Sequence, residues 1–230
     1  MRIAGLQKLT LLDFPEKTAC TVFTAGCNLR CPFCHNAGLV LRGGDGGEVS
    51  EAEFFAFLSR RTGILDGVCI TGGEPLLQHD ILPFLRKIKE MGFAVKLDTN
   101  GCFPDRLKEL LEAGVLDYVA MDIKNAPEKY PFSTGVENLS IEPVRESVSL
   151  LMNGNVPFEF RTTVVKGHHA QEEMESIGRW IAGVPRYFLQ AYVDSGDILD
   201  AGQEGLSAED MEKLLETAKK YVPNAALRGV

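Results

Sequence analysis

Short apolar, β-branched runs alternate with amphipathic helical stretches along almost the whole chain, and no other feature restricts the fold as strongly. Thr18–Thr24 (TACTVFT) predicts a first strand. A glycine turn at Gly43–Gly47 leads to Ser50, which sits three residues before Glu53 in a capping-box pattern. The apolar stripe Phe54, Phe57 and Leu58 then marks a helix. Val68–Ile70 predicts a short buried strand. A helix from about Asp80 to Met91 follows, with Leu82, Leu85 and Ile88 inward and Gly92 as its stop. Ala94–Leu97 predicts a strand, and Pro104 opens a helix that Gly114 ends, with Leu107, Leu110 and Leu111 facing the core. Tyr118–Met121 predicts the next strand, followed by a loop through Pro127 and Pro131 and a helix near Pro143–Met152. Phe158–Val165 alternates, with Phe158 and Phe160 on one face and Glu159 and Arg161 on the other. A helix at Gln171–Ile181, a strand at Arg186–Tyr192, a helix after Ser207 carrying Met211, Leu214, Leu215 and Ala218, and a short strand at Asn224–Leu227 complete the series.

This rhythm predicts an α/β fold with a mostly parallel sheet. Six or so units fall short of the eight that close a barrel, so the expectation is an open, partial (β/α)6 TIM-like barrel. No linker interrupts the 230 residues, and one domain over 1–230 is expected. The net charge of −8 and the lack of any Lys/Arg-rich run argue against a nucleic-acid surface. The apolar stretches are too short for a membrane span. The opening MRIAGLQKLTLLDFPEK has neither a long apolar region nor a small-residue cleavage site, so a cytoplasmic protein is expected. In that compartment six cysteines read as metal ligands or free thiols before disulfides.

Three of them crowd together as Cys27, Cys31 and Cys34, spaced C-x3-C-x2-C. Three thiolates in one loop reach three irons of a cubane and leave the fourth open to a substrate, whereas four-cysteine sites complete all four. The alternatives are a zinc site, with His35 as the nearest fourth ligand, or three free thiols. Adjacency to Cys34 makes a tetrahedron through His35 awkward. Cys20 and Cys69 lie in predicted strands as small core residues, and Cys102 is a loop thiol.

Three further polar clusters follow predicted strands: Thr71-Gly72-Gly73-Glu74-Pro75, Asp98-Thr99-Asn100-Gly101 and Asp122-Ile123-Lys124. Each alone reads as an ordinary turn. In a parallel barrel such loops meet on one face, where active sites are built, and the cysteine loop belongs to the same set. His168 and His169, adjacent on an extended segment, read as a loop with helix-capping duty. Glu209, Asp210, Lys213 and Lys219 read as a solvated helix face.

The cysteine spacing, with Phe33 before the last cysteine, resembles the radical S-adenosylmethionine signature. Cys31-Pro32-Phe33-Cys34-His35-Asn36 resembles the glycyl-radical-enzyme activases. The stretch from Leu12-Asp13-Phe14-Pro15 through Gly26-Cys27 to His35-Asn36 is similar to anaerobic ribonucleoside-triphosphate reductase activating proteins. The resemblance implies one radical SAM domain, with a [4Fe–4S] cluster on Cys27, Cys31 and Cys34. It also implies S-adenosylmethionine held by Phe33, Gly72, Gly73, Glu74, Thr99, Asn100, Asp122, Lys124 and Arg161. In the family the Gly-Gly-Glu segment takes the methionine amino group, Asp122 and Lys124 would hold the ribose and carboxylate, and an arginine placed as Arg161 faces the cofactor. For Arg161 a surface salt bridge is the equal alternative. Asp98, Thr99 and Asp122 match a monovalent-cation site of some members.

The implied activity is reductive cleavage of S-adenosylmethionine to a 5′-deoxyadenosyl radical, which takes a hydrogen atom from a glycine of a partner glycyl radical enzyme. Anaerobic ribonucleotide reductase is the nearest match for that partner. An external one-electron reductant such as flavodoxin or ferredoxin is also implied. No general acid or base is needed for that step, and no convincing acid–base pair is evident. Two departures bear on partner contacts: Asp13-Phe14-Pro15-Glu16 stands where some activases have Asp-Gly-Pro-Gly, and Leu189-Gln190-Ala191-Tyr192 lacks a late-strand histidine. No cysteine-rich insert for extra clusters is present. A radical SAM enzyme acting on a small metabolite (such as a deazapurine-type synthase) or a peptide, and a noncatalytic iron–sulfur electron-transfer protein, remain the alternatives.

Overall fold

The computed structural model describes residues 1–41, 49–194, 196 and 198–229. Its apolar runs pair in chain order into a single eight-stranded sheet. The strands are β1 (Ile3–Thr10), β2 (Ala19–Thr24), β3 (Gly67–Gly72), β4 (Ala94–Thr99), β5 (Tyr118–Asp122), β6 (Phe158–Val164), β7 (Tyr187–Ala191) and β8 (Ala225–Arg228). β1 and β2 are antiparallel, and every later pairing is parallel. The order runs from β1 to β8 without the ends meeting, which is the open, partial barrel that the alternation predicts.

One strand escaped the sequence reading. Thr18–Thr24 is the second strand, because β1 precedes it along the sheet edge. Gln7, Lys8 and Leu9 of β1 are exposed, so its alternation is weak, as suits an edge strand that has one partner.

The helices are α1 (Ala37–Leu41), α2 (Glu51–Ser59), α3 (Ile81–Glu90), α4 (Pro104–Glu112), α5 (Tyr130–Thr134), α6 (Glu142–Met152), α7 (Gln171–Trp180) and α8 (Ala208–Lys219). Ser50 caps α2 through the expected capping box, its hydroxyl accepting from Glu53 N–H at 3.2 Å. α1 was not expected. The segment read as a loop through Pro127 and Pro131 is a 3-10 turn, Pro127–Lys129, followed by α5. Both prolines stand in first turns, where a helix needs no backbone donor. The turn expected at Gly43–Gly47 lies outside the described residues. Among the described residues no helix is long and apolar enough to cross a membrane.

Strand alternation divides the side chains into two populations. Val68, Ile70, Val95, Leu97, Val119, Met121, Phe158, Phe160 and Leu189 join the main core between sheet and helices. Their neighbours point the other way, into the barrel, and many are polar: Cys69, Lys96, Asp98, Asp122, Glu159 and Arg161. A closed barrel fills this space with branched apolar side chains. Here Glu159, 1% exposed, accepts both Arg228 guanidinium nitrogens at 2.6 and 2.9 Å and the Tyr118 hydroxyl at 2.9 Å. A charged interior tolerates burial only when each group is paired, as this one is.

Phe54 anchors α2 on the core, fully buried and stacked on Phe84 with ring centroids 5.2 Å apart. Phe54→Ala is expected to cost about 3–5 kcal/mol in urea unfolding. Leu12→Ala, at a side chain 91% exposed, is expected to stay within about 0.5 kcal/mol of the wild type.

Candidate active site

The loops after β2, β3, β4 and β5 meet around a cleft of about 290 Å³ at the C-terminal ends of the parallel strands. Cys27, Cys31, Phe33 and Cys34 form one wall, Gly72, Gly73, Thr99 and Asn100 a second, and Asp98, Asp122, Lys124 and Arg161 the floor and far side. Eleven of the twelve residues singled out from the sequence for cluster and cofactor, with Asp98, therefore line one space.

The convergence is held by specific bonds between loops. Gly26 turns the chain out of β2 with φ +85°, and its carbonyl accepts from Glu74 N–H at 2.8 Å. Asn36 Nδ2 donates to the Gly72 carbonyl at 3.1 Å. Asn100 Nδ2 donates to Asn28 Oδ1 at 2.8 Å, which joins the β4 loop to the cysteine loop. A Cβ at Gly73 would lie 1.9 Å from the Gly26 carbonyl oxygen, so glycine there is a condition of the loops touching.

Glu74 departs from expectation. It is fully buried and does not line the cleft. Its Oε1 accepts from Thr99 Oγ1 at 2.8 Å and Leu76 N–H at 3.1 Å, and its Oε2 from Asn100 N–H at 2.7 Å. Burial pushes its carboxyl up to about 7, against those three donors. With both oxygens engaged by protein, Glu74 braces the β3 loop against the β4 loop, and the Gly72–Gly73 backbone is what faces the cleft.

The charged residues form a continuous ladder. Lys96 Nζ pairs with Asp98 Oδ1, and Asp98 Oδ2 accepts from Arg161 Nη1 at 3.1 Å. Arg161 Nε and Nη2 both reach Asp122 Oδ1 at 3.0 Å, and Asp122 Oδ2 accepts from Lys124 Nζ at 3.0 Å. Burial opposes the charge on Asp122, yet Arg161 and Lys124 outweigh it and hold its carboxyl down to about 2. Asp98 is likewise held below the usual carboxylate range by Arg161 and Lys96 despite its burial. Arg161 is thus no surface salt bridge: it lines the cleft and bridges two carboxylates. The expected monovalent-cation site at Asp98, Thr99 and Asp122 meets a different arrangement. Both carboxylates already carry cationic side chains, and the Thr99 hydroxyl is donated to Glu74.

The histidine pair does not cap a helix. Phe33 packs edge-on against both rings, at 5.2 Å from His168 and 6.4 Å from His169. His169 Nδ1 accepts from Val165 N–H at 3.1 Å, which leaves Nε2–H to donate to the Lys124 carbonyl at 3.0 Å. One buried imidazole therefore fixes the backbone of Lys124 and supports the cysteine loop. Thr163 and Gln190 also line the cleft, and the sequence reading missed both. Alternation from Arg161 marks Thr163, whereas nothing local marks Gln190.

The sequence pattern of the radical SAM superfamily matches residues 21–181. The chain belongs to the radical SAM superfamily. A Methanocaldococcus jannaschii protein, MJ1227, whose name makes it a candidate glycyl-radical enzyme activating enzyme, is 32% identical over 99% of this chain and 96% of its own length. A pyruvate formate-lyase-activating enzyme of Listeria monocytogenes is 37% identical over 61% of this chain and 60% of the relative. Streptococcus suis SuiB, solved with its precursor peptide SuiA, shares the fold at a TM-score of 0.72 and 16% identity. That match covers 91% of this chain and 48% of SuiB, so the chain spans about half the length of that protein.

Membership of the radical SAM superfamily implies a [4Fe–4S] cluster and S-adenosylmethionine, and the residues of the cleft fit both. Cys27 Sγ accepts from Leu29 N–H at 3.4 Å and Asn100 Nδ2 at 3.8 Å, donors suited to an anionic sulfur. Burial pushes the Cys31 thiol up to about 12, while the Lys124 ammonium favours its thiolate. Iron binding displaces such protons outright. Among the described residues no three His, Cys, Asp or Glu side chains converge on one small ion. A cubane asks instead for one sulfur at each of three irons. His35, the zinc alternative's fourth ligand, packs edge-on against Tyr192 at 5.2 Å.

Two predictions follow from this geometry. Gly73→Ala is expected to part the β3 loop from the cysteine loop, read as lost iron and sulfide after anaerobic reconstitution. The second concerns His169, whose burial lowers its pKa from 6.5 to about 4. Its neutral form is kept in the fold, so stability is lost as pH falls below 6.5 towards 4, and nothing is lost above 6.5. The contribution is roughly 2–3 kcal/mol at pH 4.5. Urea unfolding at pH 7.5 and 4.5 is expected to show a smaller pH effect in His169→Asn than in the wild type, by about that amount.

Proposed function

We propose that this chain cleaves S-adenosylmethionine reductively at a [4Fe–4S] cluster held by Cys27, Cys31 and Cys34. We further propose that it thereby takes a hydrogen atom from a backbone glycine of a partner glycyl radical enzyme. The observation that carries the reading is one cleft with three closely spaced thiols on one wall and the Asp122–Lys124 pair facing them. An electron-transfer protein has no use for a charged, glycine-edged pocket beside its cluster.

When bound, the cluster supplies one electron to the sulfonium, breaking its bond to C5′. The chain's part is to bind, orient and exclude water. Lys124 has the charge and placement for the cofactor's carboxylate, and Asp122 for its ribose hydroxyls. The exposed edge of Gly72 and Gly73 suits the amino group, since two missing side chains let the backbone approach. Asn100, Thr99, Phe33 and Arg161 complete the walls. The reading extends to anaerobic ribonucleotide reductase as the partner, to flavodoxin or ferredoxin as reductant and to the cytoplasm as location. MJ1227 and the pyruvate formate-lyase-activating enzymes support the activase role through the identities above.

Anaerobically reconstituted, reduced protein is expected to form 5′-deoxyadenosine from S-adenosylmethionine. With the correct glycyl radical enzyme added, electron paramagnetic resonance is expected to show a glycyl doublet. Cys27→Ala, Cys31→Ala and Cys34→Ala are each expected to lose both iron and product. Intact cluster without 5′-deoxyadenosine would sink the reading. Product without a doublet on any glycyl radical enzyme would shift the substrate to a small metabolite or peptide.

A further inference from the structure

Lys96 lies on β4 two residues before Asp98, on the same face of the strand, and does not line the cleft. It is 2% exposed, an unusual place for an ammonium group. Its Nζ is paired with Asp98 Oδ1 and lies 3.7 Å from Cys69 Sγ, which itself lies 3.8 Å from Asp98 Oδ1. Nothing in the cofactor reading gives this lysine a task, and an apolar side chain would be the ordinary filling for an inward position of a barrel strand.

The ladder supplies the task. Asp98 offers one oxygen to Lys96 and the other to Arg161. Arg161 gives one nitrogen to Asp98 and two to Asp122 Oδ1, and Asp122 keeps Oδ2 for Lys124. The rungs alternate as cation, anion, cation, anion, cation. Removing the terminal cation leaves Asp98 Oδ1 with only the Cys69 thiol, 3.8 Å away, and no charge to balance it, which is costly for a largely buried carboxylate. Among the described residues Arg161 is the other cation bonded to Asp98, and every shift of its guanidinium towards Asp98 loosens Asp122. Asp122 then draws Lys124 away from the sulfur wall.

We infer that Lys96 is a tethered cation and a positioning residue. By satisfying Asp98 it leaves Arg161 free to hold Asp122, and so sets where Lys124 stands in the cleft. The consequence for S-adenosylmethionine rests on the reading of the cleft given above, whereas the ion-pair role does not.

The test separates the two. In Lys96→Ala the missing ammonium leaves space beside Asp98 for a small free cation. Apo protein melts would be recorded in ammonium, potassium or choline chloride at constant ionic strength. Lys96→Ala is expected to melt higher in ammonium than in choline, and wild type to melt alike in all three. Lys96→Met, whose side chain keeps the space filled, is expected to show no ammonium effect. Isothermal titration of reconstituted protein with S-adenosylmethionine is expected to show about 10- to 100-fold weaker binding in both variants, the range for residues that orient a binding group from behind. Ammonium is expected to restore binding in Lys96→Ala alone. Wild-type affinity in both variants, or a Lys96→Ala melt indifferent to ammonium, overturns the inference. Wild type that binds no S-adenosylmethionine overturns the cleft reading, and the melts then decide the ion-pair role.

Discussion

Arg161 divides its guanidinium between Asp98 and Asp122, and the barrel interior is organised around that division. Lys96 and Lys124 complete the ladder at either end. Two residues before Arg161 on β6, Glu159 makes its own closed set with Arg228 and Tyr118. Apart from Lys124, just past β5, these groups stand on the inward faces of β4, β5, β6 and β8, so the sheet's curvature brings them together although the sequence spreads them over more than a hundred positions. Such pairs rarely add net stability, because desolvation offsets much of their attraction. Their value here is directional: a charge paired on both sides has one place to be.

The rim depends on the same economy of partners. Each loop is bonded to at least one neighbour: cysteine loop to Gly72 and Glu74, Glu74 to Thr99 and Asn100, Asn100 back to Asn28. His169 ties the Lys124 backbone to the loop after β6, and Phe33 rests on that histidine. The cysteine wall and the charged wall are therefore joined through two independent routes. A cleft built this way is organised before any cofactor enters it, which lowers the ordering cost of binding.

Much of this was legible beforehand, and the misses share a cause. Strand positions from Val68 to Leu227 were readable because period-two alternation and β-branched composition act locally. That Cys27, Cys31 and Cys34 share one wall was readable because their spacing is itself local. Glu74 was misplaced because a carboxylate after two glycines reads as a ligand group until its three donors are seen. The pairing at the expected cation site was hidden for a similar reason: Asp98 and Asp122 advertise negative charge, while Lys96 and Arg161 meet them from strand positions that reveal no direction of reach. β1 lacked a signal because an edge strand can stay exposed.

The sequence by itself determined the order of strands and helices, the glycines that let loops turn and touch, and the crowding of three cysteines in one loop. Each of these depends on residues within a few positions of one another. The tertiary structure alone decided which polar group meets which. It turned Glu74 inward as a brace, made Arg161 a bridge, set His169 under Lys124 and buried Lys96 against Asp98. Those outcomes follow from strand register and sheet curvature, where a shift of one residue exchanges the inside of the barrel for the outside.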